Sequence, residues 1–178
     1  MKDESVRGLT VIYTGNGKGK TSAALGAVMR AAGHGMKCKV IQFIKANPDT
    51  GELAAAKRLG PDVEIEQTGL GFTWLKKHSD DEHEKAAQAA MAMAMEAIQS
   101  GRYALVVLDE VLYALNKGLV TLDQLKSAIA AKNESAHLIL TGRGAPQELV
   151  DMADMVTSME EVKHPMKKGI PAQKGIDF

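Results

Sequence analysis

The segment Leu9-Thr10-Val11-Ile12-Tyr13-Thr14-Gly15-Asn16-Gly17-Lys18-Gly19-Lys20-Thr21 contains the signals that decide the fold. An apolar run is followed by a loop rich in glycine and lysine, and residues 22–27 continue with helical periodicity. Glycines allow a loop to turn its backbone N–H groups toward phosphate oxygens, and the dipole of the following helix adds to the attraction. This order of strand, loop and helix predicts a phosphate-binding loop in an α/β domain.

Two residues of this loop have specific roles in the predicted site. Lys20 would place its positive charge against the phosphates of a nucleoside triphosphate, and the Thr21 hydroxyl would bind Mg²⁺. The usual pattern has a glycine at the position of Thr14, whereas here Gly15 follows one step later. The alternative is an ordinary glycine-rich turn, but so many glycines are an unfavourable start for a helix unless an anion is bound.

Short apolar runs alternate with helix-like segments along the rest of the chain. Runs that are apolar on both faces suit the strands of a parallel sheet covered on both sides. Capping boxes at Ser79/Glu82 and Thr121/Gln124 indicate helix starts, and Pro146 suits a first helical turn. We therefore expect a single α/β domain over residues 1–178, with a mainly parallel sheet of about six strands. The predicted strands are residues 9–13, 39–44, 63–66, 103–108, 137–140 and, as a sixth, 155–157.

A pair of carboxylates follows the fourth apolar run. Leu105-Val106-Val107-Leu108 leads into Asp109 and Glu110, at the strand end where open α/β sheets bind their ligands. Asp109 would hold Mg²⁺ directly or through water, and Glu110 would coordinate the metal or polarise a nucleophile. The structural alternative is that the two acids only cap the next helix.

The composition excludes several classes of protein. Lys and Arg number 22, as do Asp and Glu, and a net charge of zero argues against a broad basic face that binds nucleic acid. No apolar run reaches the roughly 20 residues that span a bilayer, and residues 1–5 lack the apolar stretch of a signal peptide. We therefore expect a cytoplasmic protein with neither a membrane nor a nucleic-acid partner.

The motifs described so far leave the reaction open, because hydrolases, kinases, switches and group transferases all bind ATP with Mg²⁺. A second cluster, Thr68–Trp74, follows the third run and carries the only tryptophan of the chain. Its aromatic residues, Phe72 and Trp74, would form either the wall of a site for a large flat ligand or a small satellite core.

Seven segments, taken in order, resemble the P-loop type of ATP:corrinoid adenosyltransferase. They extend from about Gly8 to the last residue, and seven spaced motifs are far more specific than the phosphate loop alone. The segments are residues 14–21, Gly33-His34-Gly35, Gln42-Phe43-Ile44-Lys45, Gly71-Phe72-Thr73-Trp74, Leu108-Asp109-Glu110, Thr141-Gly142-Arg143-Gly144 and residues 172–178.

The resemblance implies a three-layer, RecA-like P-loop domain, usually in a homodimer. Such an enzyme transfers the 5′-deoxyadenosyl group of ATP to the cobalt of a reduced corrinoid and releases triphosphate. It implies Mg²⁺, or Mn²⁺ in its place, and an electron-donating reductase or flavoprotein as a partner. The nucleophile would be cobalt(I), so the protein would need no serine, cysteine or general base. Catalysis would consist of positioning the ribose carbon and neutralising the leaving group.

Site residues follow from the resemblance position by position. Thr21 and Glu110 match residues at the Mg²⁺, and Lys20 would join them in neutralising the triphosphate. Arg30 and Arg143 match arginines that contact the nucleotide. Phe72 and Trp74 match aromatics against the corrin ring, where they help to displace the lower axial ligand and so favour reduction to cob(I). The residues matched to triphosphate ligands are Asn16, Gly17, Lys18, Gly19, Lys20, Thr21 and Ser22.

The chain departs from the family pattern in three places. Only seven residues precede Gly8, whereas many relatives have a longer segment that folds over the active site, which leaves the closure of the site open. Ala46 stands where a glycine is usual, and Ala145-Pro146 replaces polar residues.

Two other classes of function remain as alternatives. One is a P-loop hydrolase or kinase in which Glu110 orients water or substrate, and the other is a non-enzymatic carrier of ATP or corrinoid.

Overall fold

A computed structural model of the protein describes residues 7–75 and 77–178, so the predictions made for residues 1–5 lie outside the described residues. Each of the six predicted apolar runs forms a strand. The strands are β1 (Thr10–Thr14), β2 (Cys38–Gln42), β3 (Val63–Gln67), β4 (Leu105–Asp109), β5 (His137–Thr141) and β6 (Met155–Ser158). They form one sheet in the order β3-β2-β4-β5-β1-β6, and all neighbouring strands are parallel. The expected sheet is confirmed, and it is wholly rather than mainly parallel.

Helices connect successive strands. Both predicted capping boxes are present, at Ser79 and at Thr121, whereas Pro146 precedes its helix as the N-cap residue instead of lying in the first turn. The helices are α1 (Lys20–Gly33), α2 (Gly51–Leu59), α3 (Asp80–Gln99), α4 (Val111–Asn116), α5 (Leu122–Ala130) and α6 (Gln147–Met152). Within the described ranges, no helix combines the length and the apolar character needed to cross a membrane.

The helices cover the sheet on both faces. Side chains alternate between the two faces along a strand, so Val40 and Val107 pack with α1 and α2 while Ile41 and Leu108 pack with α3 to α6. The apolar stripe of α3, which includes Met91 and Ile98, is buried against that second face. This arrangement is the three-layer α/β fold that the sequence predicts.

The carboxyl edge of the sheet is polar, although the strands themselves are apolar. Because the strands are parallel, their last residues all lie at this edge. Strand β5 lies between β1 and β4, so Thr141 stands between the end of the phosphate-loop strand and Asp109. The six terminal residues are Thr14, Gln42, Gln67, Asp109, Thr141 and Ser158.

Candidate active site

The phosphate loop curves around the side chain of Lys20. The lysine is 7% exposed, and its Nζ donates to the carbonyl oxygens of Gly15 at 2.9 Å and Gly17 at 2.7 Å. Gly15 and Gly19 have φ angles of 92° and 114°, in the left-handed region that favours glycine. Burial lowers the pKa of Lys20, while the charge of Glu110 opposes that shift. The loop is therefore already shaped around the positive charge that would meet the phosphates.

A segment after β6 packs directly against the same loop. Met159 donates its backbone N–H to the Thr14 carbonyl at 2.9 Å and accepts one from Gly17 at 2.7 Å. A Cβ added to Gly15 would lie 2.4 Å from the Met159 oxygen, so no larger residue fits there. The Thr14 hydroxyl instead accepts from the Ala145 N–H at 3.3 Å. These contacts explain why the chain has threonine and then glycine at the start of the loop.

The C-terminal tail also reaches the phosphate loop. Asp177 forms an ion pair with Lys18, and its carboxylate accepts from the Gln173 N–H at 2.6 Å. A Cβ on Gly51, at the start of α2, would lie 3.9 Å from the carbonyl carbon of Phe178. The last residues therefore lie beside the loop that is expected to bind triphosphate.

Asp109 is the buried centre of the site, at 1% exposure. Its Oδ1 accepts hydrogen bonds from the hydroxyls of Thr21 and Thr141, each at 2.8 Å, and its Oδ2 accepts one from Gln42 Nε2 at 3.1 Å. Carboxylate and hydroxyl oxygens are the donors that Mg²⁺ prefers, and Thr21 and Asp109 are already in contact. The donor set therefore fits the predicted magnesium site. The described residues contain no metal site of another kind, built from three or more His, Cys, Asp or Glu side chains.

Glu110 adopts an unusual backbone conformation directly after β4. Its φ of 59° is the only positive value among the described non-glycine residues, and its N–H donates to the Thr141 hydroxyl at 2.9 Å. Burial raises the pKa of Glu110, and the neighbouring charge of Asp109 adds to the increase. Although Glu110 is the N-cap residue of α4, its side chain makes no capping hydrogen bond. The Asp109 carboxylate binds Thr21, Thr141 and Gln42, so helix capping does not account for this pair.

The two predicted arginines lie in different places. Arg143 follows β5 on an exposed loop, and its backbone carbonyl accepts a hydrogen bond from Asn116 Nδ2 at 2.7 Å. Its positive charge acts to lower the pKa of both Lys20 and Glu110. Arg30 lies in the last turn of α1, ten residues after Lys20 and so about 15 Å further along the helix axis. The structure thus brings Arg143, but not Arg30, to the phosphate loop.

The aromatic loop stands at the same edge of the sheet. The rings of Phe72 and Trp74 stack with centroids 4.0 Å apart and an interplanar angle of 14°. The Gly71 N–H donates to the Ile44 carbonyl at 2.8 Å, which ties this loop to the chain just after β2. Phe72 packs against the main core while Trp74 is 59% exposed, an arrangement that favours an exposed wall over a satellite core.

Three residues of the site were not singled out as functional from the sequence. Gln42 and Thr141 hold Asp109, and Tyr113 packs edge-on against both rings of the aromatic stack. The signal for the first two was present, since each is a polar residue at the end of an apolar strand. No comparable signal existed for Tyr113, which lies in a mostly apolar run forty residues after its partners.

The fold and the phosphate loop make this chain a P-loop nucleotide-binding protein. Its buried acid, Asp109, ends strand β4, which is not adjacent to β1, the strand that leads into the loop. The family model described as ATP:corrinoid adenosyltransferase BtuR/CobO/CobP matches residues 6–178. The chain belongs to this family and is therefore a transferase that acts with ATP on a corrinoid.

Curated relatives agree with this assignment. A corrinoid adenosyltransferase of Pseudomonas aeruginosa is 44% identical over 172 residues, which cover 97% of this chain and 84% of that protein. The one from Sinorhizobium sp. is 37% identical, with coverage of 97% and 81%. Corrinoid adenosyltransferase CobA of Salmonella typhimurium is 36% identical, with coverage of 97% and 86%.

Proposed function

We propose that the protein transfers the 5′-deoxyadenosyl group of ATP to the cobalt of a cob(I) corrinoid, in adenosylcobalamin synthesis or salvage. The electron pair of cobalt(I) forms the new bond to C5′, and cobalt becomes formally cobalt(III). The C5′–O5′ bond breaks, and inorganic triphosphate leaves with its electron pair. The observation that supports this most directly is that a phosphate loop and an exposed aromatic stack share one edge of the sheet.

The phosphate end of the site would stabilise the leaving group. Residues Asn16–Ser22 bind the triphosphate, with Lys20 and Arg143 supplying positive charge where negative charge develops. Thr21, Asp109 and Glu110 would hold Mg²⁺, or Mn²⁺ in its place. When bound, this ion neutralises part of the charge of the triphosphate. Arg30 is kept as a predicted nucleotide contact, although it lies at the far end of α1.

The aromatic end would bind the second substrate. The exposed face of Trp74 and the ring of Phe72 offer a flat apolar surface to the corrin ring. Contact with this surface would favour loss of the lower axial ligand and so ease reduction to cob(I). Catalysis then depends on holding C5′ in line with cobalt, and no protein nucleophile is required.

Further parts of the proposal concern partners and location. We infer that the protein acts as a single domain within a homodimer in the cytoplasm. An electron-donating reductase or flavoprotein would deliver the reduced corrinoid. Nucleic acid and membranes have no role in this account.

The test is to follow both products of one reaction. The protein is mixed anaerobically with ATP, Mg²⁺ and chemically reduced cob(I)alamin, and the corrinoid spectrum and phosphate products are recorded. The proposal expects a light-sensitive adenosyl-corrinoid and an equal amount of triphosphate, both lost in Lys20→Ala. Formation of ADP and phosphate with an unchanged corrinoid would refute it and favour a hydrolase. No change in ATP would favour a carrier.

A further inference from the structure

Tyr113 contacts every residue from Phe72 to Trp74, and the proposed function assigns it no role. Its ring meets Phe72 edge-on at 5.4 Å and 86°, and meets Trp74 at 5.8 Å and 80°. Its hydroxyl lies 2.8 Å from Thr73 Oγ1, within hydrogen-bond distance. Edge-to-face geometry at these separations is the arrangement that aromatic pairs favour. One side chain thus holds three consecutive residues of the aromatic loop.

The other hydrogen bonds of the aromatic loop hold its first residues rather than its rings. The Thr68 N–H and hydroxyl donate to the Gln42 carbonyl at 3.2 and 3.3 Å, and the Gly71 N–H donates to the Ile44 carbonyl. Thr73–Leu75, which carries Trp74, is a single 3-10 turn. Trp74 is mostly exposed, so its ring position depends on the two rings it touches. Without Tyr113, the two rings would lose both edge-on contacts and keep their own stacking and the packing of Phe72 against the core.

Tyr113 is itself fixed, because α4 is held at both ends. A Cβ on Gly142 would lie 2.7 Å from Leu112 Cβ, so the loop after β5 packs tightly on the helix. At the other end, Asn116 donates to the Arg143 carbonyl. The helix also begins directly after Glu110, and the Tyr113 N–H bonds to the Glu110 carbonyl at 3.1 Å. Tyr113 therefore sits at a set position relative to the candidate metal ligand.

We propose that Tyr113 is a positioning residue that fixes the Phe72–Trp74 stack at a set distance from Glu110, and so sets the binding of the corrin ring. The proposal rests on the proposed function, because that function makes the stack a corrinoid surface. It adds that α4 joins the nucleotide end of the site to the corrinoid end.

The sole tryptophan allows the positioning to be measured without any substrate. Trp74 emission, its quenching by acrylamide and near-UV circular dichroism report on the ring in Tyr113→Leu, Tyr113→Phe and Thr73→Val. Tyr113→Leu should shift the emission, increase quenching about twofold and weaken the near-UV signal, because two edge contacts are lost. Tyr113→Phe and Thr73→Val remove the same hydroxyl contact from opposite sides, so they should give matching, smaller changes. Far-UV circular dichroism shows whether each variant folds.

The second measurement is steady-state kinetics with chemically reduced corrinoid. Tyr113→Leu should raise the KM for corrinoid about tenfold, roughly the affinity that two aromatic contacts and an ordered ring pair supply. The KM for ATP should stay within about twofold, since Tyr113 touches no phosphate-loop residue. Tyr113→Phe should fall between wild type and Tyr113→Leu.

The outcomes separate this proposal from the proposed function. Unchanged Trp74 signals in Tyr113→Leu would overturn the proposal, as would an unchanged corrinoid KM despite altered signals. If Tyr113→Leu does not fold, wild-type signals in both Tyr113→Phe and Thr73→Val would overturn it instead. A wild-type protein without adenosyl transfer would refute the proposed function and, with it, the corrinoid role of Tyr113, while Trp74 emission would still decide the positioning itself.

Discussion

Asp109 shows how a buried carboxyl group is supplied with hydrogen bonds at the edge of an apolar sheet. Burying an anion is costly unless hydrogen bonds replace its water. Three donors do so here, from Thr21, Thr141 and Gln42, and each comes from a different element. Gln42 in turn accepts from Gln67 at 3.0 Å. The position of the candidate metal ligand is thus set by neighbouring strands as well as by the phosphate loop.

Replacing Gln42 by leucine should therefore destabilise the protein. The change keeps the volume but removes the donor to Asp109 Oδ2, and leaving a buried acceptor without its partner costs about 1–3 kcal/mol. Urea unfolding measures the loss. Gln67→Leu is the matched control, because it removes the bond to Gln42 and a longer one to Thr50 Oγ1 at 3.4 Å but none to Asp109, so it should cost less. An equal cost for the two variants would contradict the role given to Gln42.

Glu110 should make the protein less stable as the pH rises. Burial raises its pKa, so the folded protein holds this proton more tightly than the unfolded chain does. Its contribution to stability is complete below the unfolded pKa and is lost as the pH rises through the folded value. Glu110→Gln removes that loss, so the ligand-free variant should be the more stable at about pH 8, with the gain shrinking toward about pH 4.

Urea unfolding across this pH range checks the expectation for Glu110. The exposed Glu134→Gln serves as the control, since it removes one carboxylate away from the site. MgATP should then stabilise wild type more than Glu110→Gln, because the variant has lost a charged ligand for the ion. If Glu110→Gln is less stable than wild type at every pH, the expectation that the charged form of Glu110 destabilises the fold is wrong.

At the scale of elements, the sequence predicted what local chemistry determines. All six strands followed from short apolar runs, and the start of α3 from the capping box of Ser79 and Glu82, because these signals lie within a few residues. Helix α4 had no such signal, since its apolar residues follow the run of β4 after only two acidic residues. Tyr113 was missed for a related reason, because its contacts join segments far apart in the chain.

The capping box of α3 should contribute measurably to stability. The Ser79 hydroxyl accepts from the Glu82 N–H at 3.2 Å, and Glu82 accepts from the Ser79 N–H at 2.8 Å. Ser79→Ala should lower the free energy of unfolding by about 1 kcal/mol, which is typical of a lost N-cap. Ser127→Ala, at an exposed serine within α5, is the control. Equal effects in the two variants would argue that the box contributes nothing specific.

At the scale of the whole molecule, the last segments of the chain pack against the phosphate loop, which lies near the start of the sequence. The tail contributes Asp177 beside Lys18, and the segment after β6 contributes Met159 beside Gly17. Such contacts link residues more than 140 positions apart, so no local pattern could have predicted them. They place the negative charge of Asp177 where a triphosphate is expected to bind.

Asp177→Asn should therefore strengthen the binding of inorganic triphosphate. A solvent-exposed ion pair contributes little to binding, so the expected gain is about fivefold or less in Kd. The gain should shrink at high salt, because salt screens exposed charges. Calorimetric titration measures the Kd. Asp123→Asn, on α5 and so on the other face of the sheet from α1, is the charge-matched control. Weaker binding in Asp177→Asn would show that the tail helps to hold the phosphates.

The account as a whole depends on which bond of ATP breaks. ATP carrying ¹³C at C5′ is incubated with the protein, Mg²⁺ and cob(I)alamin, and the products are examined by ¹³C and ³¹P nuclear magnetic resonance. The account predicts that the label becomes bonded to cobalt while all three phosphorus atoms appear together as triphosphate. A label that remains in ADP or AMP, with phosphate or diphosphate released, would contradict it.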